Sequence, residues 1–524
     1  MNIFNYNRLK NEARFILLII SLSSAIGCKK NFTTINTDPY SITTDKVNGQ
    51  LLGQAFAECQ YQGLFGYYTV WQQAQNLYGD LYSQYFATIA SYFSSDQFTE
   101  INRWSDYTWT YFYGTAAPQL YFVEQYTANN EMPVEHAIAE VWKVELYHRI
   151  TDYWGPIIYS QFGNGKTNVS YDSQKDIYSS FFETLDTAVS TLKQHVTETS
   201  VFSTNDLVFS GNVKKWLTFA NSLRLRLAMR IVYVDPGLAQ QEAEKAVSDG
   251  VMISNSDNAY VATTQITQNP HGQVIVWDEF RMSASMQSTL VGYDDPRLSE
   301  YFSEAVDGSY KGVRNGLPIP DKTSALNDEF SKMGIQYFLP QLGGSNPPMR
   351  VMSADEVYFL RAEGALRGWK MGGTDEDFYN EGITTSLMER TNASSTTILN
   401  YINSNRTPIA LDDKWNTPAM SNIPVSYESN GSFETRLEQI ITQKWIGLYP
   451  DGWEAWAERR RTGYPKGYPL IESLNPNIPA NGVMRRLVFT LSEIQNNLAA
   501  VTAARAMLSG PDVNQTRLWW DAKP

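Results

Sequence analysis

Apolar side chains recur at helical spacing along most of the chain. The clearest stripe consists of Ile177, Phe181, Leu185, Ala188 and Leu192. Its spacing of three or four residues places all these side chains on one face of an α-helix. Ser173 and Asp176 lie just before the stripe, in the arrangement of an N-cap. The pattern predicts an amphipathic helix that begins after Ser173.

Similar stripes predict further helices. One begins near Asn212, continues through Trp216 to Ile231 and stops before Pro236, which cannot continue a helix. Another lies between 133 and 150.

A late pair of helices is predicted in the same way. Ser353 and Glu356 have the spacing of a capping box, and the small residues Gly364 and Ala365 favour close approach of a second helix over 434–448.

Helices that recur in pairs favour an all-α fold of helical hairpins resembling tetratricopeptide repeats, although no strict 34-residue period is present. The stretch from about 251 to 350 differs, because turn-forming clusters replace the helical period. We interpret it as a loop-rich insertion that forms the ligand-binding face. No linker interrupts the remainder, so 47–524 is predicted to be a single domain.

The N-terminal segment has the organisation of an export signal. Residues 1–27 are net basic and contain a short apolar run that begins at Phe15, too short to span a bilayer. Gly27 before Cys28 resembles a bacterial lipobox, with Ala25 where Leu is more usual. We therefore expect a signal peptide over 1–27, a lipid on Cys28 and a polar tether over 28–46. An ordinary signal peptide with a coincidental cysteine is the alternative.

Charge and cysteine content narrow the function. The net charge of -13 and a pI near 5.0 disfavour nucleic acid as a partner. Beyond Cys28 the sequence contains only Cys59, so no internal disulfide is expected, and Cys59 is predicted to be a small buried residue.

Catalytic and metal-binding patterns are weak. The four histidines, His136, His148, His195 and His271, show no metal-ligand spacing, and no phosphate-binding loop or nucleophile motif is visible. Glu454 and Glu458 are spaced like a carboxylate pair, but neighbouring arginines favour structural ion pairs. The acidic run 375–377 is expected to be a solvated loop rather than a calcium site. No cofactor, metal or catalytic residue is predicted.

Several longer motifs resemble those of the SusD/RagB family of nutrient-binding outer membrane lipoproteins. They occupy residues 36–39, 214–230, 294–298, 352–363 and 443–465, in the order found in that family. The resemblance implies a mainly helical fold with about four repeat-like helix pairs. It also implies a ligand site built from a segment after the early helices together with loops of the insertion.

Aromatic residues supply the candidates for that site. The segment 78–113 is rich in Tyr and Trp, and aromatic rings suit the apolar face of a sugar or an apolar peptide side chain. Tyr82 and Tyr85 are assigned to the core. Trp104 and Trp109 are predicted to be exposed rim rings, and Trp277 with Arg281 forms a similar group in the insertion. These four residues are the predicted ligand-binding residues.

The sequence therefore predicts a non-enzymatic lipoprotein, and the resemblance implies that it is exposed at the surface of the outer membrane. It is expected to bind an oligosaccharide or a peptide and, as the resemblance implies, to deliver it to a SusC-like TonB-dependent transporter. The alternative is a surface glycoside hydrolase acting on a polysaccharide.

Lipidation of Cys28 can be tested directly. The Cys28→Ala protein should remain an uncleaved or mislocalised precursor and should incorporate no labelled fatty acid, because the thiol is the acylation site. Metabolic acyl labelling measures this, and equal labelling of wild type and Cys28→Ala would contradict the prediction.

Overall fold

Helices dominate this chain, whose computed structural model describes residues 49–524. The α-helices are Gly49–Gly63 (α1), Tyr68–Trp71 (α2), Gly79–Tyr82 (α3), Asn102–Tyr111 (α4), Ala117–Asn129 (α5), Pro133–Trp154 (α6), Gln174–Gln194 (α7), Val213–Arg230 (α8), Pro236–Asp249 (α9), Pro270–Ile275 (α10), Ala284–Tyr293 (α11), Leu298–Tyr301 (α12), Ala354–Leu366 (α13), Asp375–Arg390 (α14), Ser395–Ile402 (α15), Phe433–Leu448 (α16), Gly452–Thr462 (α17), Leu491–Asn496 (α18) and Leu498–Arg505 (α19). Two π-helical segments, Gln72–Asn76 and Phe112–Ala116, continue α2 and α4. The predicted mainly helical class is confirmed.

Short strands and 3₁₀ turns connect these helices. Within residues 49–524 the strands are Phe86–Thr88 (β1), Ala259–Val261 (β2), Phe280–Met282 (β3) and Met349–Met352 (β4). The 3₁₀ helices are Ser95–Gln97, Ser203–Asn205, Asn255–Asp257, Ile319–Asp321, Ser324–Asn327, Ile335–Tyr337 and Pro340–Leu342. Most of them lie between 251 and 350, the stretch predicted to be rich in loops.

Two antiparallel strand pairs attach the insertion to the helical part. β1 pairs with β3, with Phe86 opposite Met282, and β2 pairs with β4. The β1–β3 pair joins the segment after the early helices to the middle of the insertion. It therefore brings together two regions that are almost 200 residues apart in sequence.

The predicted helices agree with the structure. Ser173 caps α7, where its hydroxyl oxygen accepts a hydrogen bond from the Asp176 amide at 3.2 Å, and Asn212 caps α8 in the same way. Neighbouring helices pack as hairpins: α5 on α6, α7 on α8 and α13 on α14. This is the predicted tetratricopeptide-like arrangement.

The details of the late helix pair differ from prediction. Ser353 precedes α13 but does not cap it, because its hydroxyl donates to Asp355, which is also paired with Arg350. The missing Cβ of Gly364 makes room for Met371 rather than for α16. The close approach to α16 occurs at Gly447, where a Cβ would lie 2.7 Å from Asp355 Oδ2.

Charged side chains that would ordinarily face water are buried between α6, α8, α13 and α17. Arg226 on α8 makes two hydrogen bonds of 2.8 Å with Glu356 on α13, and a third of 3.3 Å with Glu145 on α6. One turn later, Arg230 contacts Glu458 at 3.0 Å and Glu454 at 2.5 Å on α17. These six side chains are almost completely buried.

The buried charges extend to a third arginine. Arg461 on α17 makes hydrogen bonds of 2.8 and 2.6 Å with Glu363 on α13, and also contacts Glu458. Lys444 on α16 lies 3.3 Å from Glu458. We call the set Glu145, Arg226, Arg230, Glu356, Glu363, Lys444, Glu454, Glu458 and Arg461 the buried ion network.

The carboxylates of this network differ in their pKa values. Burial opposes ionisation of Glu458, but Arg461 and Lys444 outweigh it and hold its pKa below the usual value. At Glu454 burial prevails over Arg230 and Arg226, so its pKa is raised. The predicted structural ion pairs at Glu454 and Glu458 are present.

The motif at 294–298 also has a structural role. Arg297 is fully buried and forms a bidentate ion pair with Asp295, at 2.9 and 2.7 Å. It also reaches Ser386 at 3.0 Å and Gln443 at 2.9 Å, which lie on α14 and α16. The residues that resemble the family motifs thus join the insertion to the late helices.

Residues 52–524 form one compact unit. Cys59 is buried in its hydrophobic core, as predicted, and burial raises the pKa of its thiol. The predicted signal peptide, Cys28 and the tether lie outside the described residues. Within the described part of the chain, every helix is too short or too polar to span a bilayer.

Removing one partner of the buried ion network should be costly. Arg226→Met would leave Glu356 without its cation and would remove one of the two arginines that contact Glu145, so the free energy of unfolding should fall by about 3–5 kcal/mol. Thermal or denaturant unfolding measures the change.

A surface ion pair provides the control. Lys193 is 45% exposed and pairs with Asp249 at 2.5 Å, so Lys193→Met should leave the unfolding temperature nearly unchanged. Equal unfolding temperatures for Arg226→Met and wild type would show that the network does not stabilise the fold.

Candidate functional site

Three aromatic rings lie together on the surface and form what we call the aromatic platform: Tyr67, Tyr68 and Trp277. The rings of Tyr67 and Tyr68 are 4.8 Å apart, and the ring of Tyr68 meets Trp277 edge-on at 5.6 Å. Tyr67 is 45% exposed and Trp277 is 36% exposed. Clustered exposed rings of this kind present apolar surface to a ligand.

A short helix and a turn place Trp277 on the platform. Asn269 caps α10, whose end continues into a turn in which the Trp277 amide donates to the Val274 carbonyl at 3.1 Å. Asp278 then adopts a left-handed conformation, with φ of 63°, and redirects the chain into β3. Trp277 therefore stands at the tip of this turn.

Arg281 fixes that turn from beneath. Its guanidinium contacts Asp278 Oδ1 at 2.9 Å and donates to the Asn327 carbonyl at 3.0 and 2.8 Å. Lys332 reaches the same Asp278 oxygen at 2.8 Å. Arg281 is fully buried, and these donors hold the loop. Its contact with a ligand stays a prediction.

Tyr61 of α1 ties the two halves of the platform together. Its hydroxyl oxygen lies 2.7 Å from the carbonyl oxygen of Gly66 and 2.8 Å from that of Gln268. Gly66 passes so close to the Tyr61 ring that a Cβ there would lie only 2.4 Å from it. Glycine is therefore needed directly before Tyr67.

Polar groups adjoin the rings. Glu279, two residues after Trp277, accepts hydrogen bonds from Gln72 at 2.7 Å and from the Tyr92 hydroxyl at 2.5 Å. Burial and Glu279 together raise the pKa of Tyr92 to about 12, so the phenol keeps its proton at neutral pH. Tyr92 is 67% exposed. This group offers hydrogen-bonding partners beside an apolar surface, the combination that orients a polar ligand.

An open groove of about 340 Å³ begins at Gln73, the neighbour of Gln72 in the chain. Arg103 and Tyr107 of α4 also line it.

The family was established by comparison with known proteins. Residues 34–521 match the model of the SusD-like family, described as Susd and RagB outer membrane lipoprotein. The chain belongs to the SusD-like family. This confirms the resemblance found in the sequence motifs.

Solved structures of SusD-like proteins are similar over nearly the whole chain. A chitin-binding SusD homolog from Flavobacterium johnsoniae is 36% identical, with a TM-score of 0.84, and the match covers 90% of this chain and 99% of that one. A SusD homolog from Bacteroides thetaiotaomicron is 32% identical, with a TM-score of 0.80 and the same coverage. A homolog from Bacteroides vulgatus is 32% identical, with a TM-score of 0.83, covering 89% and 97%. No curated protein matches the chain.

Within this SusD-like fold, two predicted rim tryptophans are buried instead. Trp104 is 7% exposed and packs edge-on against Phe93 at 5.5 Å. Trp109 is 2% exposed and stacks on Tyr171 at 5.7 Å. Both lie on the inner face of α4, where ring area is removed from water. The prediction that they are exposed is wrong.

Other predictions about side chains have mixed outcomes. Tyr82 and Tyr85 are core residues, as predicted, and His148 is buried as well. The acidic run 375–377 is not a loop but the first turn of α14, which Thr374 and Asp377 close with a capping box. Within residues 49–524 no cluster of side chains has the composition of a metal site.

Sequence reasoning identified Trp277 but missed its neighbours on the platform. Tyr67 and Tyr68 lie before the aromatic segment 78–113, outside the predicted site. Gly66, directly before them, is the signal of a turn that could have indicated exposed rings.

The different burial of Trp104 and Trp277 can be tested by substituting each with alanine. Trp104→Ala should lower the free energy of unfolding by about 3–5 kcal/mol because it empties a packed site. Trp277→Ala should change it far less, since about a third of that side chain is already in contact with water. Denaturant unfolding of both variants tests this, and a reversed order of stabilities would contradict the assignment.

Proposed function

We propose that this protein binds an oligosaccharide on the aromatic platform, outside the outer membrane, and passes it to a SusC-like TonB-dependent transporter. The observation that carries the proposal is the exposed cluster of Tyr67, Tyr68 and Trp277, which adjoins the hydrogen-bonding group around Glu279. A pyranose has an apolar C–H face that packs on a ring and hydroxyl groups that need polar partners. The platform supplies both.

Chitin fragments are the first ligands to test. The Flavobacterium johnsoniae homolog and a second, 26% identical structure are both described as chitin-binding. Chitin carries an acetamido group on each sugar, whose N–H donates and whose C=O accepts hydrogen bonds. Glu279 and Gln72 suit such a group, because the Glu279 carboxylate accepts hydrogen bonds and the Gln72 amide can both donate and accept them. A peptide with aromatic or apolar side chains is the alternative ligand.

The route to the membrane follows from the family. SusD-like proteins are described as outer membrane lipoproteins, and Cys28 is the residue that would carry the lipid. A lipid anchor would leave the chain free to cover the mouth of a transporter. Delivery then requires release of ligand towards that partner.

The burial and ion pairing of the candidate catalytic acids disfavour a glycoside hydrolase. Such an enzyme needs two carboxyl groups that face the scissile bond. Glu454 and Glu458 are instead buried and held by Arg230, Lys444 and Arg461. If purified protein releases reducing ends from chitin, the binding proposal is replaced by the enzymatic one.

Ring removal on the platform should weaken binding. We expect Trp277→Ala and Tyr68→Ala each to raise the Kd for chitohexaose by about tenfold or more, equivalent to about 1.4 kcal/mol. Trp277→Phe should retain part of the affinity because a smaller ring still packs. Isothermal titration calorimetry measures the constants, with a peptide library as the competing ligand class.

Tyr121→Ala is the matched control, because Tyr121 is a partly buried tyrosine of α5 that packs on Phe162 and not on the platform. It should leave the Kd unchanged. Wild-type affinity in both platform variants would exclude the platform, and binding of peptides without binding of chitohexaose would replace the proposed ligand.

A further inference from the structure

A cavity of about 250 Å³ lies beneath the surface, separate from the rings of the platform. Its wall includes Trp71 of α2, His271 of α10, Tyr337 and Arg390 at the end of α14. Pro348, which also lines it, is exposed, so the cavity reaches the surface there. Its volume is below the roughly 300–1,000 Å³ of sites for drug-sized molecules, and it suits one small molecule.

Three arginines line this cavity, and two of them are neutralised. Arg149 contacts Glu145 at 2.8 Å and Asp451 at 3.0 Å. Arg350 contacts Asp355 at 3.0 Å and donates to the Gly447 carbonyl at 2.8 Å. Each of these two guanidinium groups therefore has a carboxylate within hydrogen-bond distance, although Nε of Arg350 makes no hydrogen bond within residues 49–524.

Arg390 is different. Its nearest carboxylate oxygen belongs to Glu389, 3.5 Å from Arg390 Nε, and neither Nε nor Nη2 makes a hydrogen bond within residues 49–524. Only one oxygen of Glu389 is engaged elsewhere, because Oε1 accepts from the Tyr260 hydroxyl and from Asn258 at 3.0 Å. The other oxygen, Oε2, faces Arg390 Nε and compensates its charge without a hydrogen bond. Arg390 is only 14% exposed, and a largely buried guanidinium with unused donors is unfavourable unless an acceptor completes its hydrogen bonds.

His271 contributes an acceptor to the same cavity. Its Nδ1 lies 2.9 Å from Asn269 Oδ1, whose orientation is set because Asn269 Nδ2 donates to the Pro347 carbonyl at 2.9 Å. Nδ1 therefore carries the proton. Burial lowers the pKa of His271 to about 3, so the ring is neutral and Nε2 accepts. Nε2 has no partner in the described part of the chain.

We propose that this cavity binds a small hydroxylated carboxylate, such as a sugar acid. In this complex the carboxylate accepts hydrogen bonds from Arg390 Nε and Nη2, and a hydroxyl of the ligand donates to His271 Nε2. Trp71 and Tyr337 pack against its apolar face. The site is independent of oligosaccharide binding at the platform, which involves other side chains.

Glucuronate is the probe, and glucose is its neutral counterpart of equal ring size. Isothermal titration calorimetry should show glucuronate binding to the purified protein at least about tenfold more tightly than glucose, because only glucuronate satisfies Arg390. Arg390→Gln should weaken glucuronate binding by about the same factor. Arg406→Gln should not, since Arg406 is an exposed arginine, with 60% of its side chain accessible.

A crystal structure of the wild-type protein with glucuronate tests the site without relying on a variant. Ligand in the cavity, with its carboxylate on Arg390, is the expected result. Glucuronate bound only elsewhere, equal affinities for glucose and glucuronate, or an unchanged affinity in folded Arg390→Gln would each overturn the proposal. Chitohexaose affinity should be unaffected by Arg390→Gln, which separates this site from the platform.

Discussion

The buried ion network is the interaction on which the arrangement of helices depends. Arg226 and Arg230 are one turn apart on α8, where Arg226 pairs with acids of α6 and α13 and Arg230 pairs with acids of α17. Because a buried charge without a partner is very unfavourable, only one relative position of α8, α13 and α17 satisfies all of them. Apolar packing alone tolerates small shifts along a helix, whereas paired charges specify the register. The network therefore defines which helices are neighbours.

The sequence predicted the regular part of the fold well. Helices such as α7 and α8 combine a periodic apolar face with a side-chain cap, and both signals are local. The family motifs were also recognisable because the network needs particular charged residues at helical spacing. Ser353 shows where local signals fail. Its spacing to Glu356 is correct for a capping box, but Glu356 pairs with the distant Arg226, and the Ser353 hydroxyl accepts a hydrogen bond from Arg350.

The candidate site was less predictable because exposure is not a property of one segment. Trp104 and Trp109 lie on a short helix, and their inner orientation follows from Phe93 and Tyr171, which come from other segments. Arg281 is of a residue type that often binds ligands, but in the structure its guanidinium holds its own loop and donates to the carbonyl of Asn327, which is distant in sequence. Trp277 could be singled out because it lies in the turn-forming stretch, where no helical periodicity assigns an aromatic ring to the core.

The contacts of Tyr61 have a consequence for how the platform works. One hydroxyl group holds both Gly66 and Gln268, so the segments that carry Tyr67 and Trp277 are anchored to the same side chain of α1. Rings mounted in this way are already ordered before a ligand arrives, and little conformational entropy is lost on association. The surface then acts as a preorganised template, whose preference among ligands is set by shape rather than by induced rearrangement.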